Sequence, residues 1–311
     1  MSEIFFHSHG GKGADWEYRH GRDNNLHVWQ MRPEDENGFS TVLPIEDAST
    51  QRPAPWLLHT LTVNTLNFCS FAMCHTPGPE DSIFIAVPGL QDGMINITSL
   101  PSESRVATIP QPKDLHTGML MAVTLTHLDN GDLVVLAGYE TGHVARWQQQ
   151  NQHWTCTYLP KPHSQPVLSL SLSQELGSCF SSSADAVIAR HSFLPDKNPE
   201  TKLLQSKHAG QQSLTIRSDG KIFATAGWDG RVRVYSTKTM TELAVLKWHK
   251  EGVYAVGFAK IVEGDDGEGQ GDDADGGQVV RVRERRKQRE MRTHWLAAGS
   301  KDGKVSLWEI Y

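Results

Sequence analysis

Cysteine is scarce in this sequence: Cys69, Cys74, Cys156 and Cys179 are the only four in 311 residues. They form neither a CxxC pair nor the density of a disulfide scaffold. That excludes a small stapled secreted fold and reads as a chain of a reducing compartment. Long apolar runs are lacking too. No stretch approaches the roughly 18 residues of a membrane helix, and Met1 to Lys12 is polar, without the hydrophobic core of a signal peptide. Nor is there a surplus of positive charge. Against 36 Asp and Glu stand 30 Lys and Arg, a net −6 that provides no general attraction to nucleic acid or anionic lipid. Hydrophobic residues make up 38% of the chain and mean hydropathy is −0.44. What is plentiful is tryptophan, with nine, and glycine, with 27. A chain of this length buries roughly 75% of its unfolded surface, and nine indoles favour a packed core over disorder.

The chain repeats itself. Asp302-Gly303-Lys304-Val305-Ser306-Leu307-Trp308 and Asp229-Gly230-Arg231-Val232-Arg233-Val234-Tyr235 share one template: Asp, Gly at +1, apolar residues at +3 and +5, an aromatic at +6. The same register fits Asp23 to Trp29, Asp92 to Thr98, Thr141 to Trp147 and Asp185 to His191, with Thr98 and His191 replacing the aromatic and Thr141 the Asp. Asp-Gly supplies the positive φ of a tight hairpin turn, and the +3/+5 alternation places two apolar side chains on one face of the next strand. Small-residue strands precede the turns, as in Leu296-Ala-Ala-Gly-Ser300 and Phe223-Ala-Thr-Ala-Gly227, and let neighbouring sheets approach closely. Alternating runs such as Val253-Tyr-Ala-Val-Gly-Phe258 and Val167-Leu-Ser-Leu-Ser-Leu172 lie upstream, and Leu243 to Leu246 adds a connecting strand. The predicted unit is a four-stranded antiparallel sheet.

A histidine precedes most units: His59, His116, His163, His208 and His249. This resembles the WD40 pattern, in which His, Ser/Thr, Asp and Trp join the strands of one blade by hydrogen bonds. The fullest set is His249, Ser300, Asp302 and Trp308, with His208 and Asp229 the counterparts in the preceding blade. The expected fold is therefore an all-β WD40 β-propeller, one domain over residues 1–311, with six blade signatures. Marker intervals of 69, 49, 44, 44 and 73 residues imply a period of about 44 broken by two long insertions. One is 31–55, rich in Pro, Glu and Asp. The other is 263–292, acidic up to Gly277 and basic from Arg281 to Arg292. Both are expected on the same face, opposite the His and Asp loops. The charged segment reads as a solvated loop, or as a docking or nuclear-import segment in which Arg283-Glu-Arg-Arg-Lys-Gln-Arg289 forms a short helix on its partner.

Particular phrases go further. His20-Gly-Arg-Asp-Asn-Asn-Leu-His-Val-Trp-Gln30, Ala86-Val-Pro-Gly89, Leu136-Ala-Gly-Tyr-Glu140, Ala224-Thr-Ala-Gly-Trp-Asp-Gly-Arg-Val-Arg-Val-Tyr235, Thr239-Met-Thr-Glu-Leu-Ala-Val-Leu246 and Leu296-Ala-Ala-Gly-Ser-Lys-Asp-Gly-Lys-Val-Ser-Leu-Trp308 follow in order. Together they resemble the ASTRA-associated protein 1 family, whose animal members are called G-protein β subunit-like protein 1, from about Trp16 to Tyr311. The resemblance implies a seven-bladed, non-enzymatic scaffold subunit of the ASTRA assembly, linked to chromatin remodelling. It also implies a nuclear and partly cytoplasmic protein that works with helical-repeat TTT cochaperones and the reptin and pontin ATPases in maturing PI3K-like kinases. No cofactor, metal, nucleic acid or membrane partner is implied. This chain departs from the family with six markers rather than seven and with its first marker, Asp23, so early that a preceding blade is expected to be missing. The last blade is expected to lack an outer strand, and Ile4-Phe5-Phe6 is the only apolar N-terminal candidate for one. A shortened N-terminus, or an incomplete ring with exposed sheet edges, is the expectation.

Candidate contact residues follow from the turns. Trp228 directly precedes Asp229, where an indole at a loop tip is either a docking anchor or packing against the next blade. Arg22 and Lys301 hold the equivalent position and Tyr139 lies one residue earlier in its own blade. The histidines, including His7 and His9, have no Cys or carboxylate at ligand spacing, and Gly10-Gly-Lys-Gly13 lacks the strand and Ser/Thr of a phosphate loop. Asn96-Ile97-Thr98 matches a glycosylation acceptor by chance on a predicted inner strand. Other readings are a WD40 adaptor or histone-tail reader of another chromatin or ubiquitin-ligase complex, a G-protein β subunit, and a propeller enzyme. Met1 to Trp16 has no heptad for the β-subunit helix, and no carboxylates or ligands cluster as an enzyme requires.

Overall fold

The computed structural model describes residues 3–7, 15–20, 24–31, 56–64, 69, 71–76, 82–113, 115–150, 153–194, 201–261 and 293–310. Within them the regular elements are all strands, arranged as six antiparallel sheets. The first sheet takes β1 (Glu3–His7), β2 (Asp15–His20), β3 (Asn25–Met31) and β4 (Trp56–Thr62). The second takes β5 (Ala72–His75), β6 (Ile83–Pro88), β7 (Ile95–Leu100) and β8 (Ser104–Ile109), and the third β9 (Leu120–His127), β10 (Leu133–Tyr139), β11 (Val144–Gln150) and β12 (His153–Tyr158). The fourth holds β13 (Val167–Ser173), β14 (Ser178–Ser183), β15 (Val187–Ser192) and β16 (Lys202–Gln205). The fifth holds β17 (Gln211–Ile216), β18 (Ile222–Gly227), β19 (Arg231–Ser236) and β20 (Glu242–Lys247). The sixth has three strands, β21 (Val253–Phe258), β22 (Trp295–Ser300) and β23 (Val305–Glu309). Consecutive strands pair in every sheet, as WD40 blades require, and the described residues hold six blades where the family resemblance implies seven. Ile4, Phe5 and Phe6 lie in β1, which pairs with β2 in the first sheet.

The turn chemistry is as the template demands. Gly93, Gly142, Gly230 and Gly303 have φ between 72° and 86°, and Asn24 takes the same place at φ 60°. In the fourth sheet Ala186 stands there instead, and Asp185 rebuilds the turn by accepting the Val187 amide at 2.9 Å.

The chain packs as two compact units, Met1–Val135 with Trp147–Cys156 and Leu136–Arg146 with Thr157–Tyr311, the division passing through the third sheet. In the first unit, Tyr18, Leu26 and Val28 pack on Phe71, Ile83, Ile85 and Val87 of the second sheet's segment. In the second unit the fifth sheet is buried on both faces. Leu214, Phe223 and Tyr235 meet Phe180 and Ile188 of the fourth sheet, and the Phe223 and Tyr235 rings stack with centroids 5.0 Å apart. Ala224, Ala226, Val232 and Val234 meet Val253, Leu296 and Ala298 of the sixth. Val232 and Val234 are 1% and 2% exposed, whereas Val305 and Leu307, at the same places in β23, are 69% and 65% exposed. The two long insertions lie outside the described residues, apart from Met31, which ends β3.

Candidate interaction site

Polar chains inside the last three blades decide what is left at their surface. In the sixth sheet the Trp308 indole N–H donates to Ser306 Oγ at 2.9 Å, the Ser306 hydroxyl to His249 Nε2 at 2.9 Å, and His249 Nδ1–H to Asp302 at 3.2 Å. An indole only donates and a carboxylate only accepts, so the direction and the histidine tautomer follow. The hydroxyl in this chain is Ser306, which corrects the expectation of Ser300. Ser300 instead bonds the Gly252 carbonyl at 3.0 Å and receives the Asp302 amide, closing the turn. The reason is a swap across one strand pair. Ala298 faces Ser306 here, whereas Ser181 faces Ala189 in the fourth sheet, so the hydroxyl enters the same space from the opposite strand.

The fourth sheet carries a longer chain. Thr201 donates to the Tyr158 hydroxyl, Tyr158 to His191 Nδ1 at 3.0 Å and His191 Nε2–H to Ser181 Oγ at 2.8 Å. Ser181 then donates to His163 Nε2 at 2.8 Å, and His163 Nδ1–H to Asp185 at 3.2 Å. Every group gives one proton forward only if both imidazoles are neutral. Burial enforces that state, pushing His163 below its ordinary value and His191 down to about 3. His191 thus does the work of the missing Trp and extends the chain as well. Asp185, His163 and Ser181 have the order of a hydrolytic triad, but Ser181 is fully buried and both imidazoles engage its oxygen. The arrangement ties strands together and leaves no place for a reacting atom.

In the fifth sheet the expected His208–Asp229 link is replaced. Arg233, only 1% exposed, donates to both Asp229 oxygens at 3.1 and 2.5 Å. His208 Nδ1 is left 3.9 Å from Asp229, with its ring substantially exposed. A bidentate guanidinium competes better for a carboxylate than one imidazole N–H does. Burial alone would raise the Asp229 carboxyl, but the Arg233 hydrogen bonds and charge outweigh it and hold the group below the usual range. Two further histidines also depart from the expected role. His59 lies on β4 and bonds Glu103 at 2.7 Å, and His116 is exposed while its neighbour Thr117 is buried.

What remains outward at this end of the fifth and sixth sheets is Trp228 with a set of lysines. Trp228 is 46% exposed. Its backbone N–H bonds Gly210 O at 2.9 Å and its indole N–H donates to Gln212 at 2.9 Å. One ring face lies directly on Gly210, whose φ of 76° and lack of Cβ permit the approach. The indole is thus held from behind by Gly210 and Gln212 of its own blade, and remains half-exposed in front. Lys301 is exposed, its amide anchored to Gly252 O at 2.9 Å. Tyr139 belongs elsewhere. It closes β10 with its side chain 0% exposed, so it is a core residue and offers no contact surface. Arg22 lies outside the described residues.

The four cysteines are thiols, with Cys69 and Cys179 buried and burial raising Cys74 to about 12, so this thiol is unreactive at neutral pH. Asn96 lies on β7 and accepts a hydrogen bond from Thr108. Among the described residues no three His, Cys, Asp or Glu side chains converge as a metal site would need, and no helix is long and apolar enough to cross a membrane.

Residues 201–236 and 292–309 match the family model described as WD domain, G-beta repeat. The chain is 46% identical to ASTRA-associated protein 1 of Verticillium alfalfae, over 97% of this chain and 78% of that protein. It is 41% identical to the protein of that name from Penicillium rubens, over 97% and 83% respectively. Guanine nucleotide-binding protein subunit beta-like protein 1 of Mus musculus is 29% identical over 97% of this chain and 79% of its own length. With its repeats, its blade sheets and similarity of this extent, the chain belongs to the ASTRA-associated protein 1 family.

Proposed function

We propose that the protein is a non-enzymatic WD40 scaffold subunit of the ASTRA assembly. The observation that carries the reading is the similarity, over nearly the whole chain, to fungal proteins named for association with ASTRA. The internal chemistry agrees with it: the polar groups that look catalytic are spent on joining strands, and the rigid outward indole of Trp228 suits docking. In the finer reading the scaffold serves the TTT cochaperones together with reptin and pontin, in the maturation of PI3K-like kinases and in chromatin remodelling. Its site of action is the nucleus, with a cytoplasmic share. The test is capture of the tagged full chain from its native cells followed by mass spectrometry. Recovery of ASTRA subunits and TTT proteins is the expected outcome. Recovery of cullin adaptors, or of histones alone, would overturn it.

A further inference from the structure

The end of the fifth and sixth sheets that carries Trp228 is lopsided in charge. Its aspartates are held by neighbouring donors: Asp229, still partly exposed, is clamped by Arg233, and Asp302 accepts from His249 and from the Lys250 and Lys304 amides. Its lysines are turned outward. Lys207, Lys250, Lys301 and Lys304 are exposed, and among the described residues none is ion-paired with a carboxylate. Glu251 and Asp229 are the exposed acids on the same loops, and Asp229 is already paired with Arg233. Two indoles punctuate the cations. Trp228 is one; Trp248 is the other, half-exposed, with the Lys304 ammonium 5.6 Å from its ring centroid. These residues share one end because Gln211 pairs with Gly227, Arg231 with Lys247 and Val253 with Ser300, which brings the connecting loops side by side.

We propose that this rim docks an acidic, extended segment of a protein partner, its carboxylates on the four lysines and an apolar side chain between them on Trp228. The inference rests on the scaffold reading and names the chemistry of what the scaffold holds. Charge complementarity carries it, and scale selects the occupant. Charges further apart than a Debye length of roughly 8–10 Å are largely screened, so a short peptide seated on the rim responds mainly to the lysines beside it. A long nucleic acid reaches past the rim over a chain whose net charge of −6 gives it no general attraction. Lysines predominate among the exposed cations of the rim, with Arg231 beside the turn, whereas the Arg233 fork is buried on its own carboxylate.

The probe is a fluorescein-labelled peptide of about a dozen residues, Asp and Glu interspersed with Leu and Phe, read by anisotropy against the full chain at low and high salt. Binding should weaken steeply with salt, and by about tenfold or more with Lys250→Glu/Lys301→Glu and with Trp228→Ala. Lys238→Glu, in the turn at the opposite end of the fifth sheet, should leave it unchanged, as should a basic peptide of equal length fail to bind. Equal weakening by Lys238→Glu, absence of acidic-peptide binding at low salt, or tighter binding of a single-stranded oligothymidylate would overturn the proposal. Melting curves of each variant separate lost binding from lost fold. If the double variant still captures ASTRA subunits, the acidic-segment inference falls and the scaffold reading stands. If the unmodified chain captures none, the scaffold reading falls whatever the peptide does.

Discussion

His191 shows how one substitution within a repeat is absorbed. Where the template places an aromatic, an imidazole donates one N–H to Ser181, as an indole would, and its second nitrogen accepts from Tyr158. That acceptance holds only while His191 is neutral, and the same holds for His163 towards Ser181. Both have folded values lowered by burial, so below about pH 6.5 the unfolded chain takes up protons that the folded chain resists. Their stabilisation is complete above pH 6.5 and is lost as pH falls towards about 3, the folded value of His191. The slope is about 1.4 kcal/mol per pH unit for each proton difference. Urea titrations between pH 7.5 and 5 should show stability falling, and His191→Gln should flatten that dependence even though it lowers stability overall. A pH-independent midpoint in the unmodified chain would refute the neutral, one-way chain.

At the scale of the element, two contrasts in the sixth sheet are open to measurement. Ser306→Ala breaks the Trp308–Ser306–His249 link and leaves buried polar groups unpaired, at a cost of about 1–3 kcal/mol. Because Ala298 and Ser306 face one another, the double change Ala298→Ser/Ser306→Ala should restore much of it, read as a shift in the denaturation midpoint. Failure of the second change to rescue would mean that the hydroxyl must come from β23. The other contrast is between faces. Val232→Thr and Val234→Thr place hydroxyls in a closed core and should each cost about 1–3 kcal/mol, whereas Val305→Thr and Leu307→Thr should stay within about 0.5 kcal/mol. Identical strand positions then give different answers, because a neighbouring sheet covers one pair and solvent the other.

For the whole molecule, net charge and local charge point in opposite directions. A chain at −6 should not retain long duplex DNA at physiological salt, despite its basic rim, and a mobility-shift titration at about 150 mM salt checks this. A stable complex there would show that the rim dominates the long-range field. The blades, their order and their turns were legible from the repeat, because strand alternation and the Asp-Gly turn are properties of residues one to three apart. Rim position was legible for Trp228 and Lys301, which immediately precede turn residues. Tyr139 departs from the expected contact role because a place one residue short of a turn still belongs to the strand, where its ring is buried.

Sequence by itself determined the repeated unit, and through it the fold class and the family. Tertiary structure alone decided which polar atoms meet. Ser306 in place of Ser300, Arg233 displacing His208, and His191 reaching Tyr158 join residues 4 to 57 positions apart, across strand pairs and between sheets. No local pattern records such meetings, since they depend on which side chain from which strand first fills a shared buried space and satisfies the donors there.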